Sequence, residues 1–320
     1  MTIEKKAIHI PGMIEPIEQH NLFNLAQNIE LKNDDCFVEF GTFFGKSTFC
    51  ISEGLSANKG KKNSIKFYAY DSFTCHKEGR FQNFVIEEAK KSNLQALIKK
   101  ERDYIDFSNI FKFFLEDHLS SGVVELMQFS LKKSFPKSKN NIKLMHIDSP
   151  KFYNELEFIY ERFFPLLNKQ SIVIFQDYFF QWSATLIASV QFLIEENILS
   201  ILNTAASSIT TIVNKKIELK KIKELKENMK NIQFILEMID KAILNTNGYN
   251  IDRPDYFVPR LLLARFQFLW DKKLYEKATN FLFNYVNKNH NKLSRSNLND
   301  FRELMRNGFS IRNLYEQDYL

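Results

Sequence analysis

Cysteine is scarce in this chain: Cys36, Cys50 and Cys75 are the only three in 320 residues. An odd number without metal-ligand spacing excludes a disulfide framework and gives no sign of a zinc site. They read as reduced thiols. No apolar run reaches the roughly eighteen residues that a membrane-crossing helix needs. The opening Met1-Thr2-Ile3-Glu4-Lys5-Lys6 also lacks the apolar stretch of a secretory leader. A cytoplasmic protein with no membrane span is the expectation. RNA- and DNA-binding motifs are missing too, so no nucleic-acid partner is expected.

What is present suits a large core. With 44% hydrophobic and 14% aromatic residues, the chain can build one large α/β domain, or a medium one with an appendage. The net charge of +6 is unevenly placed: of 44 Lys/Arg and 38 Asp/Glu, 20 and 13 fall from Lys215 onward, leaving 24 and 25 before it. Because acids interleave with these bases, the C-terminal third reads as a solvated helical surface.

Apolar positions at Ile14, Ile17, Leu22, Leu25, Ala26 and Ile29 predict a helix over 14–31. Strands are predicted at Cys36–Phe40, Ile65–Tyr70, Val123–Phe129, Ile142–Ile147 and Ser171–Phe175. Between them, helices are predicted at Ser47–Leu55, across 81–118 and at Phe152–Leu167, with another at Thr185–Glu195. Two further strand-like runs, Ile198–Thr204 and Ser208–Val213, can pair as a hairpin. The alternation predicts an α/β fold: a doubly wound, mostly parallel sheet with an antiparallel edge hairpin. Ligands in such sheets bind outside the carboxyl ends of the strands. Glu39, Asp71, Asp148 and Asp177 all stand at such ends.

From Leu219 to Ile243 the apolar period becomes helical, predicting one long amphipathic helix. It either packs on the body of its own chain or makes a homodimer seam. After a turn-rich break at Asn245–Asp255, Phe257–Trp270 and Leu274–Val286 predict a helix pair, and residues 287–300 read as a mobile run. Three regions follow: a helical lead-in over 1–33, the sheet domain over 34–215 and a helical C-terminal extension over 216–320.

The segment Glu39-Phe40-Gly41-Thr42-Phe43-Phe44-Gly45-Lys46-Ser47 carries the most chemistry. A strand ends in an acid and two glycines, then opens into helix-like sequence, which is the form of a cofactor-binding turn. Gly41 and Gly45 are four apart, unlike the spacing of dinucleotide or phosphate-binding loops. A nucleoside fits better than a pyrophosphate, which disfavours a nicotinamide oxidoreductase.

Together with Tyr70-Asp71-Ser72-Phe73, His146-Ile147-Asp148 and Gln176-Asp177-Tyr178, this turn resembles the class I S-adenosylmethionine methyltransferases, and within them the macrocin O-methyltransferase family. The resemblance covers about residues 30–215. It implies a Rossmann-like methyltransferase sheet and S-adenosyl-L-methionine held by Glu39, Gly41, Thr42, Gly45, Ser47, Asp71 and Ser72, with Asp71 on the ribose. It also implies methylation of a hydroxyl on a sugar, glycan or secondary-metabolite precursor. Metal-dependent relatives hold a divalent ion at the fourth and fifth strand ends, which assigns Asp148, Asp177 and Gln176 to Mg²⁺. Pro150 and Gln176 stand where that pattern has acids, so the ion would be held more weakly. Without it, His146, His76 or Asp148 is the candidate general base, and Asp177 completes the catalytic set. The same two departures keep open a lapsed methyltransferase fold that serves as a binding or scaffolding protein.

Overall fold

Strands form where β-branched and aromatic residues cluster between turn signals. The protein, a computed structural model, is described over residues 2–61, 64–77, 79–137, 141–150, 152–245 and 254–289. Its strands are β1 (Asp35–Phe40), β2 (Lys66–Asp71), β3 (Thr74–His76), β4 (Lys99–Lys100), β5 (Tyr104–Asp106), β6 (Val124–Gln128), β7 (Asn141–Ile147), β8 (Leu167–Phe175), β9 (Leu199–Ala205) and β10 (Ser208–Val213). Its helices are α1 (Ile3–Ala7), α2 (Pro16–Asn28), α3 (Lys46–Ala57), α4 (Arg80–Lys91), α5 (Ser108–Phe114), α6 (Glu116–Ser120), α7 (Tyr153–Arg162), α8 (Ala184–Glu195), α9 (Leu219–Asn228), α10 (Ile232–Asn245), α11 (Pro254–Asp271) and α12 (Tyr275–Asn289).

Seven strands form one sheet in the order β6-β2-β1-β7-β8-β10-β9. The first five run parallel, while β10 is antiparallel to both β8 and β9, giving the expected edge hairpin. All six residues of β1 are buried, as a central strand covered on both faces requires. On one face Val38, Phe40, Tyr70 and Val173 share a core with Leu156 and Ile159 of α7 and Leu186 and Val190 of α8. On the other, Phe37, Phe67, Leu144 and Ile174 pack with Leu22 and Ala26 of α2 and Cys50 and Ile51 of α3. The chain leaves β1 for β2 on one side and returns to β7 on the other. The sheet therefore has its switch point between β1 and β7, where doubly wound folds bind ligands.

Two expectations are corrected. The stretch 81–118 is not continuous helix: α4 stops before Asn93, which takes a left-handed φ of 57°, and Leu94 N–H returns to Ala89 O at 2.8 Å in a helix-ending turn. Beyond it come β4 and β5, which with β3, from before the helix, form a small separate antiparallel sheet in the order β3-β5-β4. The long helix after Leu219 is two helices, because the Asn231 side chain accepts the Gln233 N–H at 2.9 Å and caps a new start at α10. Of its two expected uses, the apolar stripe takes the packing one: Ile222, Leu225, Leu236 and Ile239 lie in the same core as the sheet, with Leu261 of α11. The expected break at Asn245–Asp255 and run at 287–300 fall largely outside the described residues. Among the described residues, no helix is long and apolar enough to cross a membrane.

Candidate active site

The turn after β1 is built to be tight. Gly41 (φ +83°) and Gly45 (φ +96°) both occupy the left-handed region that side chains disfavour. Their open space is filled by the protein itself. A Cβ on Gly41 would lie 2.6 Å from the Ser149 backbone nitrogen, and one on Gly45 would strike Leu115 and Phe111. That crowding leaves no room for a ligand on the side-chain side of either glycine. Gly41 instead lets the β7 exit loop press on the turn, where Asp148 and Ser149 both donate N–H to Phe40 O at 2.9 Å.

Asp71, at the end of β2, holds the other side of the turn. Its Oδ2 accepts the N–H of Thr42 at 2.8 Å and of Phe43 at 3.0 Å, and its Oδ1 accepts the N–H of Phe73 at 2.8 Å. Burial pushes its pKa up, against the pull of those three donors, and the charge of Asp148 adds to the rise. Phe43 (φ 48°) and Phe73 (φ 55°) are thus held in left-handed backbone by one carboxylate. Thr42 is 2% exposed, and its Oγ1 has no hydrogen-bond partner among the described residues. Ser47 is buried in the first turn of α3, whose N-cap, Gly45, supplies no side-chain cap. Ser72 is half-buried and faces Thr74 at long range, 3.4 Å.

Glu39, His146 and Gln176 turn to the sheet face that carries α2 and α3, and there they join. Glu39 and His146 are opposite each other in the β1–β7 register, and both side chains are fully buried. Glu39 Oε2 accepts the Thr48 hydroxyl at 2.6 Å, and Oε1 meets His146 Nδ1 at 2.9 Å. The second ring nitrogen, Nε2, lies 3.5 Å from Gln176 Oε1. Gln176 cannot flip, since its Nε2 donates to Glu18 Oε1 at 2.7 Å and to Ser207 Oγ at 3.0 Å. Both histidine nitrogens therefore face acceptor oxygens, an arrangement that favours the charged ring. Burial alone pulls its pKa down, yet the hydrogen bond and charge of Glu39, with Asp148 and Gln176 behind them, raise it overall.

Two assignments are corrected here. His146 is not a base open to substrate, because the ring is fully buried with Nδ1 on Glu39 and Nε2 facing Gln176. Gln176, expected beside Asp148 and Asp177 as a ligand for Mg²⁺, is tied into the buried network: its carbonyl oxygen faces the His146 ring at 3.5 Å and its amide donates to Glu18 and Ser207. Among the described residues no group of three or more His, Cys, Asp or Glu is gathered closely enough to share a metal. Glu39 likewise meets Thr48 and His146 rather than the turn's open edge, and its part is to fix strand ends.

Glu18 and Ser207 escape sequence reading. Glu18 sits at the third position of α2, where Oε2 accepts the Glu15 N–H at 2.8 Å in a capping box. The spacing Glu15-x-x-Glu18 after an extended segment signals that cap but not the second task of Oε1, which takes Gln176 and, at 2.9 Å, the Ser207 hydroxyl. Burial raises the pKa of Glu18 over the opposing pull of these donors. Ser207 Oγ also lies 3.3 Å from Asp177 Oδ1. Asp177 (φ 59°) and Asp148 remain at the carboxyl edge, half-buried, at the ends of adjacent strands.

Residues 38–178, just under half of the chain, match the protein family described as Methyltransferase domain. Curated proteins give no match. Among solved structures, the O-methyltransferase NovP is 13% identical with a TM-score of 0.46, covering 64% of this chain and 82% of its own. The calicheamicin methyltransferase CalS11 is 13% identical, TM-score 0.41, with coverages of 61% and 76%. A putative caffeoyl-CoA O-methyltransferase from Staphylococcus aureus is 14% identical, TM-score 0.39, with coverages of 67% and 93%. These likenesses are too distant to bring a substrate to this chain.

Proposed function

We propose that this protein is an S-adenosylmethionine-dependent O-methyltransferase acting on a hydroxyl of a sugar, glycan or secondary-metabolite precursor. The observation that carries the reading is the pairing of Asp71 with the Gly41–Gly45 turn at the switch point of the sheet, within the stretch that matches the methyltransferase family. The buried, unpartnered Thr42 hydroxyl and the uncapped start of α3 supply polar groups that suit the cofactor's amino-acid end. Asp71 would hold its ribose. When bound, S-adenosylmethionine supplies a methyl carbon activated by a positively charged sulfur.

The rest falls to the chain's own groups. Asp148 and Asp177 would orient an acceptor hydroxyl and take its proton, while the Glu39–His146 pair keeps the ends of β1 and β7 in fixed register. A second reading, a lapsed binding protein, is favoured by one observation: Gln176 and His146 are locked into the buried network, which leaves two acids for the chemistry.

Calorimetry with S-adenosylmethionine and with NAD tests the cofactor. Labelled methyl transfer to a panel of hydroxylated acceptors, with and without Mg²⁺, tests turnover. Cofactor binding without transfer to any acceptor supports the lapsed reading, and NAD binding without S-adenosylmethionine binding defeats both.

A further inference from the structure

A carboxylate has two oxygens and about four accepting positions. Asp71 already fills three of them: Phe73 N–H on Oδ1, and Thr42 and Phe43 N–H on Oδ2. One position on Oδ1 is left for a ligand. A ribose presents two neighbouring hydroxyls, and a carboxylate free of other duties accepts one on each oxygen. Here Oδ2 cannot be vacated, because its two donors fix the turn and hold Phe43 at a φ of 48°.

We propose that Asp71 grips only one of the two ribose hydroxyls, so the site reads one of them strictly and the other loosely or not at all. This rests on the reading of the site as one for S-adenosylmethionine. It narrows the ligand class to adenine nucleosides with one obligatory hydroxyl and tolerance for change at its neighbour. The turn and the ribose acid are then one unit. The bonds that shape the backbone of Thr42 and Phe43 also set which half of the carboxylate faces the ligand.

Calorimetric titration of the full-length protein with S-adenosylhomocysteine, its 2′-deoxy analogue and its 3′-deoxy analogue tests this. One deoxy analogue should bind within about twofold of the parent, and the other should bind about tenfold more weakly or worse, as loss of a hydrogen bond to a charged group implies. Weakening of both by tenfold would overturn the inference by showing both hydroxyls gripped. Equal binding of all three would overturn it by removing Asp71 from the ribose. In an Asp71→Asn variant, the gap between the two analogues should shrink to about twofold. Should S-adenosylhomocysteine itself fail to bind at millimolar concentration, the reading of the site falls first, and the inference with it.

Discussion

Replacing Glu39 with glutamine keeps the volume of the side chain but removes the charge that holds a buried imidazolium. Both partners are fully buried and 2.9 Å apart. Breaking such a pair from one side leaves an uncompensated charge, which costs about 3–5 kcal/mol. Against a total stability of about 5–15 kcal/mol, this is about a fifth or more of what holds the chain folded. The assay is urea unfolding followed by circular dichroism, with Glu39→Gln, His146→Gln and the double variant compared in a cycle. The double variant should be more stable than the sum of the single losses by at least about 1 kcal/mol, because it no longer strands a partner.

The pH dependence carries the sign of the effect. His146 has a raised folded pKa, so its contribution is complete below the unfolded value of about 6.5 and is lost as pH rises through the folded value. The gap between native protein and the Glu39→Gln variant should therefore narrow at alkaline pH. A loss below about 1 kcal/mol at pH 6, or a gap that widens with pH, would refute the imidazolium assignment.

Gly41→Ala should cost about 2 kcal/mol or more in urea unfolding, since it adds left-handed strain to a contact at 2.6 Å with Ser149 backbone. A neutral result would show that the β7 exit loop moves freely of the turn. Thr42→Val should leave stability within about 0.5 kcal/mol of native, because Oγ1 has no partner to lose, while weakening S-adenosylhomocysteine in calorimetry. Unchanged affinity would remove Thr42 from the cofactor site. Cys36 and Cys50 should ignore a disulfide reagent at pH 8 until urea is added. Burial pushes the Cys36 thiol up to about 12 and the Cys50 thiol higher, leaving little thiolate to react. Fast labelling of the folded protein at either residue would contradict their burial.

The seven strands of the main sheet were legible because each is a short apolar run bounded by turn residues, and their order with the intervening helices implied the parallel sheet. The stretch 81–118 misled because its charged, helix-compatible residues hide a stop at Asn93, whose left-handed backbone no periodicity reveals. The helix after Leu219 misled in the opposite way. Its apolar rhythm runs unbroken through Asn231, although that side chain starts a second helix. At the site, the acids were found by their place at strand ends, but their partners were not. Gln176 and Asp177 are neighbours in sequence, yet the first turns toward Glu18 of a helix about 160 residues earlier.

Composition and periodicity alone determined that this chain is α/β, which runs form its sheet, and that its acids and paired glycines gather at one edge. These follow from local pattern, where a two-residue or near-four-residue rhythm decides what is buried. Only the tertiary structure decided that the glycines make room for Ser149, Leu115 and Phe111, and that Glu39 answers His146. It also decided that Asp71 gives three-quarters of its accepting capacity to backbone. The physical reason is that a buried polar group takes whichever partner packing brings within about 3 Å, and that partner comes from a distant strand or helix which no spacing along the chain can name.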